Sequence, residues 1–344
     1  MRPAGAAAIL RPMHCRAAPP SRALASIVLA TALAAPGCAS MTRAVGLGPA
    51  YGPNEIRKGD TPEVVYAKAQ RLFADQQWKE AGDAFGTLWK DFPKSDLASD
   101  AQFYEAESRC GQEKWNGAFE LFKRYLKDWP LSPHAPYIQQ RIYGIGAYTI
   151  EAGQHGFLGI FDYAGEGVDE FDYLVSAFPH GDLADDALIY VADYEWRTRQ
   201  TKEAIGHLHD LVDDYPTSKW ALEARLRLAK AYRDVNRGTR YDADSLQRSV
   251  AEYKTYVERV TADRARAAEY APQLETARAE LAEVEEMLAR KHVDASDFYL
   301  NAGNVEAAQA ELKNVIRDFP KSQAADEARR RLGVETPADQ GGGK

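Results

Sequence analysis

Apolar residues recur along this chain at a helical period, and one short phrase punctuates them. The phrase reads Asp91-Phe92-Pro93-Lys94-Ser95, then Asp128-Trp129-Pro130-Leu131-Ser132, Ala177-Phe178-Pro179-His180-Gly181, Asp214-Tyr215-Pro216-Thr217-Ser218 and Asp318-Phe319-Pro320-Lys321-Ser322. Its prolines lie 37, 49, 37 and 104 residues apart. A fixed period of this length is the signature of a repeat array. The 49 contains an insertion of twelve residues, and the 104 hides a degenerate copy in which Thr261 stands in place of proline. Before each proline the same face recurs. Twelve residues back stands a small residue: Ala81, Ala118, Gly167, Ala204 or Ala308. Eight back stands Phe85, Phe122, Phe171, Leu208 or Leu312, and five back Leu88, Tyr125, Leu174, Leu211 or Val315. Steps of four and then three put all three on one side of a helix. Proline cannot continue that helix, and the following serine is placed to cap the next one. Val64 to Ala74 and Leu183 to Trp196 carry stripes of their own, so the repeating element is a helical hairpin. The pattern predicts hairpins near 62–92, 96–129, 133–178, 182–215, 219–260 and 265–319, with a last helix at 322–332 capping the open end.

Two hairpins are decorated. Residues 154–162 interrupt the third. In the sixth, the first helix is expected from near Pro272 to Leu300, where Leu274, Ala277, Leu281, Val284 and Leu288 repeat at heptad-like spacing. That stripe serves either its own array or a partner helix.

The first 38 residues differ in kind. They hold Arg2, Arg11, Arg16 and Arg22, no acidic residue, and an apolar run of thirteen from Ala23 to Ala35. Such a run is the length of a signal-peptide core and too short to span a bilayer. It ends in Ala35-Pro36-Gly37-Cys38, which resembles the lipobox of bacterial lipoproteins. The resemblance implies cleavage before Cys38 and lipidation (palmitate included) of that cysteine. The alternative is an ordinary secretory signal with an unrelated cysteine. Ala39, rather than Asp, after the cysteine implies the outer membrane, facing the periplasm. The organisation expected is therefore a signal peptide at 1–38, a Gly- and Pro-rich tether at 39–60, the repeat array at 61–333 and a disordered tail at 334–344.

Charge narrows the field further. The chain has 43 Lys and Arg against 51 Asp and Glu. Without residues 1–38 the balance is 39 against 51, a net charge of -12. An acidic chain has no cationic surplus with which to displace counterions from nucleic acid. The three cysteines leave only Cys110 once Cys15 is removed and Cys38 is lipidated, so no internal disulfide is expected. Cys110 sits in an apolar-patterned helix and reads as a core filler. His207 and His209 are two apart on a helix and face different ways, a poor metal pair. Gly144-Ile145-Gly146 lacks the rest of a dinucleotide fingerprint, and no Walker, Gly-x-Ser-x-Gly or His-Glu-x-x-His sequence occurs. The expectation is a protein without catalysis, cofactor or metal, working through a surface.

The small, aromatic and proline positions resemble the tetratricopeptide repeat. That resemblance implies an all-α, right-handed superhelical solenoid of about six hairpins with a C-terminal capping helix. It also implies that first helices line the concave face. Counting back from each proline places Tyr66, Gln70 and Phe73 there in the first hairpin, Phe103 and Glu107 in the second, and Ile189, Asp193 and Trp196 in the fourth. Such residues suit a peptide-anchoring groove, or else they pack against the neighbouring hairpin. Combined with the lipobox and tether, residues 60–332 resemble the BamD-like lipoproteins of the outer-membrane assembly machinery, most tellingly at Leu288 to Pro320 and Tyr215 to Tyr232. The resemblance implies a lipid-anchored periplasmic scaffold. It would bind unfolded outer-membrane protein segments, a BamA-like barrel-assembly component and other envelope proteins. The alternative is a cell-envelope organiser of the Tol-Pal or peptidoglycan-associated kind.

Overall fold

The computed structural model describes residues 54–153, 164–235, 243–263 and 268–334. Cys38, the signal peptide, most of the tether, the 154–162 insertion and the tail beyond Val334 lie outside the described residues. Among these residues the chain forms thirteen helices and no strand. They are α1 (Pro62–Ala74), α2 (Trp78–Asp91), α3 (Ala98–Gly111), α4 (Trp115–Asp128), α5 (Ala135–Gly153), α6 (Ala164–Ala177) and α7 (Ala184–Arg197). Then follow α8 (Thr201–Asp214), α9 (Ala221–Val235), α10 (Asp244–Ala262), α11 (Ala271–Asn301), α12 (Val305–Asp318) and α13 (Gln323–Leu332). The predicted hairpins are thus present as α1/α2, α3/α4, α5/α6, α7/α8, α9/α10 and α11/α12, with α13 after them. No described helix is long and apolar enough to cross a membrane.

The chain divides into two compact units, Met1–Leu183 and Ala184–Lys344. Within each, every described helix packs on its neighbours in sequence: α1 through α6 in the first unit, α7 through α13 in the second. That nearest-neighbour pattern defines a helical repeat. The repeated face behaves as its spacing requires. Ala81, Ala118, Ala204 and Ala308 are at most 1% exposed, and so are Phe85, Phe122 and Phe171. The core of the first hairpin is Val65, Tyr66, Ala69, Leu72 and Phe73 of α1 closed against Ala81, Ala84, Phe85 and Leu88 of α2. In the second unit, Leu274, Ala277, Val284 and Leu288 of α11 are buried with Tyr253, Tyr256 and Val260 of α10, and Leu281 packs against the same cluster. The heptad-like stripe is therefore occupied by its own unit.

Turn chemistry is equally regular. At the position seventeen before each proline, Gln76, Glu113, Arg199 and Gly303 all take positive φ, from 58° to 78°. Only Gly303 does so without a steric cost. The serine after the proline acts in two ways. Ser322 is a true N-cap, accepting from Ala325 N at 3.0 Å. Ser95, Ser132 and Ser218 accept instead from the N–H two residues on, that of Leu97, His134 and Trp220. Those three serines close a side-chain turn before the next helix starts. α13 ends on Gly333 in the left-handed conformation, with its N–H on the last carbonyls, which is the usual glycine stop.

Candidate peptide-binding faces

The first helix of a hairpin presents three recurring positions, counted from the proline, at which the sequence places groove residues. At the first, Tyr66, Phe103 and Ile189 are 6%, 0% and 5% exposed. Tyr66 meets Phe85 and Tyr104 edge-on, and Phe103 stacks on the His134 ring at 4.2 Å. Burial raises the Tyr66 hydroxyl pKa well above its ordinary value. These side chains form the body of each hairpin, beneath any groove. At the last position Phe73 is buried against Trp78, Phe85 and Tyr104. Trp196, its counterpart in α7, is 39% exposed.

The middle position carries Gln70, Glu107, Asp193 and, in the sixth hairpin, Asp297. Gln70 is exposed. Each of the three acids meets an arginine 34 residues further on, in the next helix of the same role. Arg141 donates from Nη2 to Glu107 Oε2 at 2.5 Å and from Nε to Oε1 at 2.9 Å. Tyr137 Oη adds a third donor at 3.2 Å. Arg227 bonds to Asp193 and also to Glu223. Arg331 donates to Asp297 at 2.5 Å. One helical heptad earlier the same step recurs: His134 lies 3.1 Å from Asp100, and Trp220 Nε1 donates to Asp186 at 2.5 Å. A hairpin is thus tied to its successor by a carboxylate, twice in the first unit and at least twice in the second.

Burial grades these ties. Glu107 is 2% exposed; burial pushes its carboxyl pKa up, against the pull of the Arg141 guanidinium. Asp193 is raised by burial for the same reason, with Arg227 opposing. Asp297 and Arg331 keep 48% and 34% of their side-chain surface exposed. A buried bidentate pair costs much to break from one side, whereas an exposed one contributes little. Arg141, Arg227 and Arg331 were not anticipated from the sequence. The 34-residue step between each acid and its arginine is the signal that identifies them.

Another buried acid stands apart. Glu170 in α6 is 2% exposed, and one carboxylate oxygen has no hydrogen-bond partner among the described residues. Burial pushes its pKa up to about 7, opposed by a bond from Thr149 and reinforced by Glu166 and Asp169. Cys110 is buried. His207 pairs with Glu195 at 2.8 Å and His209 with Asp213 at 2.9 Å. Among the described residues no three His, Cys, Asp or Glu side chains converge as a metal site would require.

Residues 58–238 match the model of YfiO, a family described as outer membrane lipoprotein. No curated protein matches. Among solved structures, a thermophilic tetratricopeptide-repeat protein of Thermus thermophilus aligns at 15% identity over 62% of this chain and 99% of its own, with a TM-score of 0.28. A tetratricopeptide-repeat protein of Parabacteroides merdae aligns at 12% identity over 78% and 97%, with a TM-score of 0.31. YrrB, described as such a protein with an unusual peptide-binding site, aligns at 15% identity over 72% and 99%, with a TM-score of 0.28.

Proposed function

The chain belongs to the YfiO family of outer membrane lipoproteins, and from that membership we propose a lipid-anchored periplasmic scaffold of the β-barrel assembly machinery. The scaffold binds proteins and performs no reaction. Its cargo is unfolded outer-membrane protein segments, and its partner is a BamA-like barrel-assembly component. The family match over 58–238 carries this reading. The leader, with Cys38 at the end of its apolar run, supports the anchor. A doubly or triply acylated cysteine holds a protein on a membrane far better than a single chain.

Peptide contact on the first-helix faces falls in this proposal to the accessible members of each set: Gln70 in the first unit, and Asp193 with Trp196 in the second. Tyr66, Phe73, Phe103, Glu107 and Ile189 hold that surface from beneath. An exposed tryptophan is the type of residue that anchors an interface.

Detergent extraction and affinity capture of the full-length protein from its native envelope test the role. Recovery of a BamA-type barrel component supports it. A capture without any barrel-assembly protein, coupled with binding to isolated peptidoglycan sacculi, overturns it in favour of an envelope-organising lipoprotein.

A further inference from the structure

The last helix, α13, is held in place differently from the helices before it. α12 enters the core of the second unit with Leu312 and Val315, and Phe319 follows it there. α13 contributes only alanines to that core, Ala324, Ala325 and Ala328, with Leu332 packed at its edge. An alanine methyl removes far less apolar surface from water than a leucine or a phenylalanine does.

Charge in register supplies what apolar packing does not. Glu286, Arg290 and Asp297 follow one another along α11 at steps of four and seven, which keep them on one helix face. They meet, in the same order, the N-terminus of α13, then Glu327, then Arg331, and each meeting joins opposite signs. Glu286 Oε2 accepts from Ala324 N at 3.2 Å, at the positive end of the α13 dipole. Arg290 donates to Glu286 at 2.8 Å and also to Glu327. Arg331 donates to Asp297 at 2.5 Å and to Glu327 at 2.6 Å. The two helices therefore run parallel in one register. Sliding α13 back by one turn would set Glu327 against Glu286 and Arg331 against Arg290, like charge on like.

This row stays in reach of solvent. Its five side chains keep between 24% and 48% of their surface exposed. An isolated exposed pair contributes little, and a network of several contributes more. Salt weakens all of them, because the screening length falls from about 10 Å at 0.1 M to about 3 Å at 1 M.

We propose that α13 is a salt-sensitive latch. The charge row of α11 holds it in register, and rising ionic strength releases it from the end of the second unit, opening the core where its three alanines sit. The latch stands on α11 and α13 alone and does not depend on the assembly role proposed above.

Hydrogen exchange of the full-length protein, read by mass spectrometry at 0.1 M and 1 M NaCl, tests it. Residues 323–332 should exchange about tenfold faster at 1 M, as screening of a network of pairs predicts, while residues 62–91 of the first unit keep their rate. Glu327→Gln removes the charge that both Arg290 and Arg331 hold. It should exchange about tenfold faster than the parent at 0.1 M and gain little more at 1 M, with circular dichroism checking that the helices persist. Equal exchange of residues 323–332 at the two salt concentrations overturns the proposal, and so does a full salt response in Glu327→Gln. If α13 stays protected at 1 M NaCl in a species of twice the mass, two copies have exchanged it and the intramolecular latch fails.

Discussion

At the scale of single residues, burial decides which charges matter. Glu107 with Arg141 and Asp297 with Arg331 are the same tie in the same repeat position, one buried and one half exposed. Arg141→Ala should therefore cost about 3–5 kcal/mol, because it strands a buried carboxylate. Arg331→Ala should cost about 1 kcal/mol or less. Urea unfolding of both variants checks the contrast, and equal losses would contradict it. Glu170 makes a prediction about pH. Its pKa is raised from 4.5 to about 7, so the folded state resists its ionisation. The penalty is absent below pH 4.5, grows through the interval and is complete above about 7, so stability falls as pH rises across it. Glu170→Gln should remove that dependence and stabilise the protein by about 1–3 kcal/mol above neutrality. Thermal melts across the interval would show it; a variant that melts in parallel with the parent at every pH refutes it.

At the scale of elements, two helix backbones approach closely in the third hairpin. A Cβ placed on Gly167 would lie 2.6 Å from Ile150 and 2.8 Å from the Gly146 carbonyl oxygen. The backbone of α5 cannot retreat as a side chain can. Gly167→Ala and Ala204→Leu, at the same repeat position, should each destabilise by about 1–3 kcal/mol through overpacking. An unchanged denaturation midpoint in either would mean that the hairpins do not meet there. Much of this level is legible in the sequence. The small residue, the bulky one four later and the proline mark where a helix faces its partner and where it stops. The turn serines are less legible: whether such a serine caps the helix or closes a turn depends on where the next helix begins, which Ser95 and Ser322 share no local signal to decide.

At the scale of the whole molecule, the anchor and the repeat array make separate claims. Cys38→Ser should shift the protein from the membrane fraction to the soluble periplasmic fraction, as measured by fractionation and immunoblotting. Persistence in membranes would show that something other than acylation of that cysteine holds it. The predicted contact residues divide at this scale as well. Tyr66, Phe103 and Ile189 stand where aromatic and aliphatic residues recur, but the same recurrence is what a hairpin core needs. Periodicity identifies a face without saying whether a neighbour covers it.

The repeat, its hairpins and their stops follow from the chain alone, because helix periodicity and proline chemistry act over a few residues. The arginine ties do not. They join side chains 34 residues apart in sequence, on separate helices. Only packing sets how near such groups come and how much water stays between them. That remaining water is what separates the buried Glu107 carboxylate from the half-exposed Asp297.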